Sequence, residues 1–282
     1  MPANRDVPLL AREPLEGPYV LLTFRHAEVA ASARAGQYVM IKAGTSPDPP
    51  LRRPFSVMTV DPGQESFTIF LKTVGVGSRA LAEMRVGDIA ACLGPLGRPF
   101  TPPPDGSEAL LVAGGYGIAP FVLFADELRR AGRKARVFYG GRTAADLQVR
   151  SPFADRGVPL IPATEDGSLG HHGRVTEPLE AHLDVRAASP TLYACGPDAM
   201  LHAVARLAAR RRLAAQVSLD PWMGCGLGTC LGCVVPIQGA EDPRPRYRCA
   251  CTEGPVFDAV TVVWAGEGSS LARRRALEEA PA

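Results

Sequence analysis

The stretch Cys225-Gly-Leu-Gly-Thr-Cys230-Leu-Gly-Cys233 carries three cysteines at the spacing C-x4-C-x2-C. Cysteine thiolates at this spacing hold 2Fe-2S clusters. The glycines between them allow the backbone to fold tightly and to turn N–H groups toward sulfur. A cluster needs a fourth thiolate, and Cys249 and Cys251 follow downstream. The sequence therefore predicts an iron–sulfur site in the C-terminal part of the chain.

Structural zinc and disulfides are the two other common uses of clustered cysteines. Zinc sites usually show two paired knuckles of similar spacing, whereas here the first gap is four residues with a glycine on either side of Leu227. Disulfides are typical of secreted proteins, and the start of the chain predicts no secretion signal. The glycine-interleaved pattern favours an iron–sulfur cluster over both alternatives.

Length and charge limit the classes of protein to consider. A chain of 282 residues suggests two domains and a small appendage. The 31 basic and 29 acidic residues nearly cancel, which predicts no nucleic-acid partner. Glycines and a proline interrupt the apolar stretch 109–125, which favours a buried strand-turn-helix over a membrane span. We therefore expect a cytoplasmic protein without a membrane span.

The first hundred residues predict an antiparallel β-barrel. Runs rich in β-branched, aromatic and aliphatic residues alternate with turn residues at residues 19–25, 38–42, 54–60, 66–73 and 88–93. In the fourth run, Phe67, Ile69 and Leu71 alternate with other residues at the period of a strand. Three consecutive prolines within residues 98–106 predict an extended linker after the barrel.

After the linker the pattern changes to alternating strands and helices. Strands are predicted at 109–113 and 135–139, and helices at 118–131, 144–150, 176–183 and 197–212. This order predicts a parallel sheet with helices on both faces. The predicted domains are residues 1–101, 102–220 and 221–282.

Two glycine-containing turns in the second domain are candidates for nucleotide binding. Gly115-Tyr-Gly117-Ile-Ala-Pro120 lies at the first strand-to-helix turn, where ligand phosphates bind in such sheets. A proline replaces the third glycine of the usual dinucleotide fingerprint, and the turn alone is equally compatible with a tight corner. Tyr193-Ala-Cys-Gly-Pro-Asp198 is a second strand that ends in a turn.

Two segments of the predicted barrel carry groups suited to a phosphorylated aromatic cofactor. Arg52-Arg-Pro-Phe-Ser56 combines guanidinium groups, an aromatic ring and a hydroxyl, although a solvated arginine at a strand start is the simpler interpretation. Leu71-Lys-Thr-Val-Gly-Val-Gly77-Ser78 adds a strand, a glycine turn and a helix start, an arrangement that binds phosphate.

The order of these motifs resembles the ferredoxin-NADP reductase superfamily. With the cysteine loop added, the chain is similar to one branch, the electron-transfer subunits of dihydroorotate dehydrogenase B. Three further stretches resemble that branch: Leu93-Gly-Pro-Leu-Gly97, Thr164-Glu-Asp-Gly-Ser-Leu-Gly170 and Cys251-Thr-Glu-Gly-Pro-Val-Phe257. The resemblance extends over about residues 7–257, nearly the whole chain.

The resemblance implies an N-terminal antiparallel FAD-binding β-barrel, a central parallel α/β nucleotide-binding domain and a small C-terminal 2Fe-2S domain. It implies FAD contacts from Arg53, Pro54, Phe55, Ser56, Phe70, Leu71, Lys72, Gly77 and Ser78. It implies contacts to a nicotinamide nucleotide from Gly115, Gly117, Cys195, Gly196 and Pro197. The implied cluster ligands are Cys225, Cys230, Cys233 and Cys251.

Cys251 is preferred to Cys249 because the last ligand of the family directly precedes the stretch x-x-Gly-Pro-Val-Phe. Three departures from the family pattern stand out. The insert before Cys251 is longer than usual, which leaves the fourth ligand open between the two cysteines. Ser78 stands where threonine is common, and Tyr116 replaces a usually aliphatic residue.

The function implied by the resemblance is electron transfer in pyrimidine biosynthesis. Electrons from the FMN of a catalytic dihydroorotate dehydrogenase subunit would pass through the 2Fe-2S cluster and FAD to NAD, in a heterotetramer with two copies of each subunit. Hydride transfer needs no general acid or base, so none is assigned. NAD and NADP stay open, since Arg142 either meets a 2′-phosphate or points to solvent.

Two other functions compete with this one. The first is a related FAD and 2Fe-2S reductase subunit that serves a hydrogenase, a sulfide dehydrogenase or a ferredoxin-NADP transhydrogenase, because these share the same scaffold. The second is a non-enzymatic redox sensor or metal-binding module.

Overall fold

The structure, a computed structural model, describes residues 3–44, 51–184, 189–238 and 244–264. These residues form a closed barrel, a seven-stranded sheet and a two-stranded sheet, in that order along most of the chain. The predicted fold class is thereby confirmed. Residues 265–282 of the predicted third domain lie outside the described ranges. Across those ranges, none of the helices is long and apolar enough to cross a membrane.

The barrel is antiparallel throughout. Its strands are β1 (Ala3–Pro14), β2 (Tyr19–Arg25), β3 (Tyr38–Ala43), β4 (Arg53–Asp61), β5 (Ser66–Lys72) and β6 (Ile89–Leu96), with short helices α1 (Ala27–Ser32) and α2 (Val76–Ala82). They close in the order β1-β2-β5-β4-β3-β6. The sequence predicted five of these strands. It missed β1, in which Val7 and Leu9 are the only buried residues among residues 4–14, too few for a clear alternating pattern.

The second half of the chain alternates strands and helices. Its helices are α3 (Ala119–Arg130), α4 (Ser151–Ala154), α5 (Thr176–Asp184), α6 (Asp198–Arg211) and α7 (Ala250–Glu253). Its strands are β7 (Ala109–Gly114), β8 (Ala135–Gly141), β9 (Leu160–Thr164), β10 (His171–His172), β11 (Thr191–Cys195), β12 (Ala215–Ser218), β13 (Val234–Ile237), β14 (Arg246–Cys249) and β15 (Val256–Asp258).

The seven-stranded sheet has the order β10-β9-β8-β7-β11-β12-β15. Neighbours from β10 to β12 are parallel, and β15 is an antiparallel edge strand. Because β15 follows the cysteines, the chain leaves the sheet after β12, builds the cluster region and then returns. The domain boundaries stay a prediction.

The two faces of this sheet are covered by different helices. Leu111 and Tyr193 pack into one hydrophobic cluster with residues of α3, including Phe121. Leu110 and Leu192, one position earlier on the same two strands, pack with residues of α5 and α6. Successive residues of a strand point to opposite faces, so both faces are buried, as predicted.

The helix predicted at residues 144–150 is wrong. Only Ala144–Asp146 is helical, as a single 3₁₀ turn, and α4 begins after it at Ser151. Asp146 and Thr143 form a capping box that closes this short turn. The backbone leaves the helical region at Leu147, with φ −102° and ψ 55°, and α4 starts separately with Pro152 in its first turn, a position that suits proline.

The predicted linker is packed rather than free. Phe100 is fully buried and stacks on Phe121 at 5.5 Å and on Phe124 at 5.2 Å between ring centroids. The Phe100 N–H donates to the carbonyl of Ala35, and the Tyr193 hydroxyl donates to the carbonyl of Thr101. These contacts fix the barrel against α3 and the sheet.

Candidate functional site

The residues predicted to bind FAD on β4 border an opening in the barrel wall. Arg53 to Ser56 pair with β3, whereas the pairing of β4 with β5 begins only at Val57 and Ile69. The four residues are half-buried, unlike the buried Val57 that follows. Their backbone and side chains are therefore open to a ligand between the ends of β4 and β5.

Arg53 and Gly77 come together although they are distant in sequence. A Cβ atom at Gly77 would lie 3.1 Å from both Cγ and Nε of Arg53, so the guanidinium group crosses directly over the glycine. Arg53 Nη1 also donates to the carbonyl of Leu51 at 2.6 Å. A larger residue at position 77 would displace this arginine. Close packing against Arg53 therefore explains why position 77 is a glycine.

Ser78 stabilises the turn before α2 with its side chain. Its hydroxyl oxygen accepts hydrogen bonds from the N–H groups of Val74 and Gly75, each at 3.0 Å, and the hydroxyl lies 3.0 Å from the carbonyl of Gly75. The first N–H groups of a helix have no acceptor within the helix. Because the Ser78 hydroxyl is committed to this turn, the candidate donors to an anionic ligand are the first N–H groups of α2 and not this hydroxyl.

The three predicted residues of β5 differ in exposure. Phe70 and Leu71 are buried, and Phe70 stacks on Tyr19 at 5.5 Å, so that only their backbone can face a ligand. Lys72 is half-buried. Its Nζ lies 3.3 Å from Oδ1 of Asp146 and 5.1 Å from the centre of the Tyr19 ring. Lys72 thus connects the barrel to the second domain.

Asp146 is a functional candidate that the sequence did not reveal. Its Oδ1 accepts a hydrogen bond of 2.5 Å from the Tyr19 hydroxyl, and its Oδ2 accepts from the N–H groups of Arg142 and Thr143. Burial alone would raise the pKa of Asp146, but the hydrogen bond from Tyr19 and the charge of Lys72 outweigh it and lower the pKa. The Thr143-x-x-Asp146 capping-box pattern is the signal in the sequence that could have identified Asp146.

The two predicted nucleotide turns touch each other at the carboxyl ends of β7 and β11. A Cβ atom at Gly117 would lie 2.3 Å from the carbonyl oxygen of Cys195, and one at Gly196 would lie 2.8 Å from the nitrogen of Gly114. Gly115 has φ +52° and faces open space, with no atom within 4 Å of where its Cβ would be. Close backbone packing thus forms one surface that a phosphate group can approach.

The side chains near these turns have distinct environments. Burial raises the pKa of the Cys195 thiol to about 12, so this cysteine stays protonated at neutral pH. Tyr116, between the two glycines, is 49% exposed. Pro120 lies in the first turn of α3, as predicted.

The cluster loop, residues 225–233, has the backbone conformation that its glycines predict. Gly226 and Gly228 have φ angles of +74° and +78°. Partial burial would raise the pKa of Cys225, but hydrogen bonds from the Thr229 hydroxyl and from the N–H groups of Cys230 and Leu227 lower it to about 6. Donors directed at sulfur suit an anionic thiolate ligand.

Both candidates for the fourth ligand lie against this loop. The Cys251 N–H donates to Sγ of Cys233 at 3.4 Å, and both cysteines are 1% exposed. Cys249 Sγ is half-buried and lies 4.0 Å from the carbonyl of Gly228. In the part of the chain that the structure describes, no three His, Cys, Asp or Glu residues are arranged to ligate a single metal ion.

The barrel supports the cluster loop from below. A Cβ atom at Gly226 would lie 2.7 Å from Cγ of Met40 on β3. Tyr38, on the same strand, donates from its hydroxyl to the carbonyl of Cys251 at 3.0 Å. Burial, followed by the nearby thiols, raises the pKa of Tyr38, so the hydroxyl keeps the proton that it donates.

The outer side of the loop is exposed and apolar. Trp222, Leu227 and Leu231 are 58%, 51% and 60% exposed, and Cys230 is exposed beside them. Leu231 also has φ +57°, an uncommon conformation for a residue with a side chain. Exposed apolar residues grouped in this way are typical of interaction surfaces.

Comparisons with known proteins agree with this geometry. Residues 220–263 match the family model of the iron-sulfur cluster binding domain of dihydroorotate dehydrogenase B, and residues 111–206 match the oxidoreductase NAD-binding domain. These two matches cover the cluster loop and the first nucleotide turn.

Full-length relatives point in the same direction. The electron transfer subunit of dihydroorotate dehydrogenase B (NAD(+)) from Desulforamulus reducens is 36% identical over 86% of this chain and 92% of its own length. Its counterpart from Bacillus caldolyticus is 40% identical over 86% of this chain and 91% of its own length. Among solved structures, an NADH-dependent reduced ferredoxin-NADP oxidoreductase, reported in work on flavin-based electron bifurcation, superposes with a TM-score of 0.81 at 26% identity, over 98% of this chain and 100% of that one.

The ion pair of Asp146 gives a prediction about stability and pH. We expect Asp146→Asn to lower the free energy of unfolding at pH 7 by about 1–2 kcal/mol, since a hydrogen-bonded charge is lost. A carboxyl group whose pKa is lowered on folding stabilises the protein above its unfolded pKa of about 3.9, and this contribution is lost as pH falls through the folded value. The measurement is urea unfolding of both proteins at pH 7 and below pH 4.

The matched control is Asp155→Asn, which makes the same chemical change at an exposed position. Its effect should be small at both pH values. A stability difference between Asp146→Asn and the wild type that does not shrink in acid would contradict the assigned role of the carboxylate.

Proposed function

The chain belongs to the family of dihydroorotate dehydrogenase B electron-transfer subunits, and we propose from this premise that it carries electrons between a catalytic partner subunit and NAD in pyrimidine biosynthesis. The observation that carries the proposal is the arrangement of three sites in one structure. The opening beside β4 belongs to the barrel, the cluster loop packs on Met40 of β3, and the first turn of the sheet contacts β5. Electrons would pass from the FMN of the partner through the 2Fe-2S cluster and FAD to NAD.

Two cofactors and a nucleotide are therefore needed. A nicotinamide exchanges two electrons as a hydride and a 2Fe-2S cluster exchanges one, and FAD supplies the chemistry that connects them. The protein's own contribution is to bind and orient these groups and to exclude water between them. No side chain is needed as a general acid or base.

FAD would be held by the residues around the opening of the barrel. We propose that Arg53 pairs with its pyrophosphate, together with N–H groups at Gly77 and Ser78. Phe55 and Ser56 would contact the flavin ring. Pro54 would connect these two residues to Arg53. Phe70 and Leu71 would contribute backbone, and Lys72 would stay paired with Asp146 at the border of the second domain.

NAD would bind at the two turns of the sheet. We propose that its pyrophosphate approaches Gly115, where the positive φ and the open space permit close contact. Gly117, Gly196 and Pro197 would shape the surface through their packing, and the protonated Cys195 would contribute a neutral wall.

The cluster would be held by Cys225, Cys230, Cys233 and Cys251. Cys251 is favoured over Cys249 by its burial and by its hydrogen bond to Cys233. The hydrogen-bond donors around Cys225 support its own role as a cluster ligand, because they stabilise a thiolate.

We further propose that the catalytic subunit docks over the cluster loop. Trp222, Leu227 and Leu231 would be covered by this partner, which would bring its FMN near the cluster. A heterotetramer with two copies of each subunit and a cytoplasmic location complete the proposal.

A ferredoxin-NADP transhydrogenase subunit is the alternative function, supported by the structural match at 26% identity. The match to the cluster-binding family model and the relatives at 36% and 40% identity favour the dihydroorotate system. The distinction rests on the partner.

The function is tested by the visible spectrum and the cofactor content of anaerobically purified protein. We expect FAD equimolar with the chain, iron and sulfide in the ratio of a 2Fe-2S cluster, and bleaching when NADH is added. Addition of the catalytic subunit and NAD should then permit dihydroorotate oxidation. Zinc without flavin would overturn the proposal.

Arg53 is tested by its effect on flavin retention. Arg53→Ala should weaken FAD binding by about 1.5–3 kcal/mol, the usual contribution of a hydrogen bond to a charged group. The matched control is Arg52→Ala, because the Arg52 guanidinium is committed to Asn4 and to the carbonyl of Ala91 in the barrel. Equal FAD affinities for the two variants would remove Arg53 from the site.

The fourth ligand is tested by a pair of serine variants. Cys251→Ser should lose iron and sulfide while it keeps FAD, and Cys249→Ser should keep all three. Metal analysis and the electron paramagnetic resonance spectrum of the reduced protein measure the outcome. The reverse pattern would assign the fourth ligand to Cys249.

A further inference from the structure

One strand of the barrel lies between the proposed flavin and cluster sites. On β3, Tyr38 is the direct cross-strand partner of Ser56, and Val39 is the partner of Phe55. Direct partners in an antiparallel pair point to the same face of the sheet. Tyr38 therefore shares a face with Ser56, one of the proposed flavin contacts.

The far end of the Tyr38 side chain reaches the cluster region. Its hydroxyl donates to the carbonyl of Cys251 at 3.0 Å. Its ring passes close to Gly97, where a Cβ atom would lie 3.0 Å from Cε1 of Tyr38. The residue is only 2% exposed, so the hydrogen bond forms in a dry environment.

Neighbouring contacts hold this junction tightly. A Cβ atom added at Gly97 would also lie 2.6 Å from Cδ of Pro255 and 2.7 Å from the carbonyl oxygen of Gly254. Met40, two residues after Tyr38 and on the same face of β3, packs on Gly226 of the cluster loop. The outer face of β3 is thus the floor of the cluster region.

We propose that Tyr38 is a positioning residue that anchors the backbone of Cys251 to the strand beside the flavin. This inference rests on the proposed function. The Tyr38 hydroxyl fixes the backbone of the fourth ligand from the barrel side. The direct pairing of Tyr38 with Ser56 connects this anchor to the strand that would contact the flavin. The two cofactors are then held at one separation while the outer side of the loop docks a partner.

The test is Tyr38→Phe in the full chain carrying both cofactors. The ring is kept and only the hydroxyl is lost, so the fold should persist. We expect the cluster to lose iron to a chelator about fivefold faster, as the loss of one net hydrogen bond would give. We also expect an altered magnetic interaction between the one-electron-reduced flavin and cluster, with unchanged reduction of the flavin by NADH.

The matched control is Tyr193→Phe, because the Tyr193 hydroxyl also donates to a backbone carbonyl, that of Thr101, at a position outside the cluster region. Both variants should lose similar thermal stability, but only Tyr38→Phe should change the cluster. Identical iron loss and spectra in the two variants would overturn the inference. A wild-type protein without flavin or cluster would instead overturn the proposed function, so the two failures are distinguishable.

Discussion

Close contact between glycine backbones and neighbouring atoms is the constraint on which the three sites depend. At Gly77, Gly97, Gly117 and Gly226 an added Cβ would meet another segment at 3.1 Å or less. Those contacts join α2 to β4, the barrel to the segment after Cys251, the two turns of the sheet to each other, and the cluster loop to β3. Side chains at these positions would push the segments apart, because packed interiors have little room to yield.

The same contacts explain why two stretches that resemble one branch of the superfamily occur together. Leu93-Gly-Pro-Leu-Gly97 and Cys251-Thr-Glu-Gly-Pro-Val-Phe257 meet in space, where Gly97 packs on Pro255 and a bridge links Arg98 to Pro255. In this chain the junction joins the barrel to the cluster region. The two stretches therefore occur together because they pack against each other.

The sequence predicted those elements whose local patterns determine them. The alternation through Phe67 and Ile69 and the apolar run of β7 were sufficient, and the cysteine spacing identified the cluster loop. Tertiary contacts decided the rest. The short turn at Asp146, its bonds to Tyr19 and Lys72, and the bond from Tyr38 to Cys251 join residues far apart in the chain, and no local period records them. Strand β1 pairs with β2 and β6 through backbone hydrogen bonds, and its sequence carries no clear alternation of buried and exposed side chains that would predict this pairing.

The return of the chain to the sheet through β15 has a consequence for the metal-free protein. Because β12 and β15 are hydrogen-bonded neighbours, the cluster region is a loop tied at its base rather than a tail. The fixed ends exclude extended conformations of this loop, and the entropy cost of holding the ends of a loop together rises only logarithmically with its length. The fold thereby keeps the cysteines at a high local concentration and ready for reassembly of the cluster.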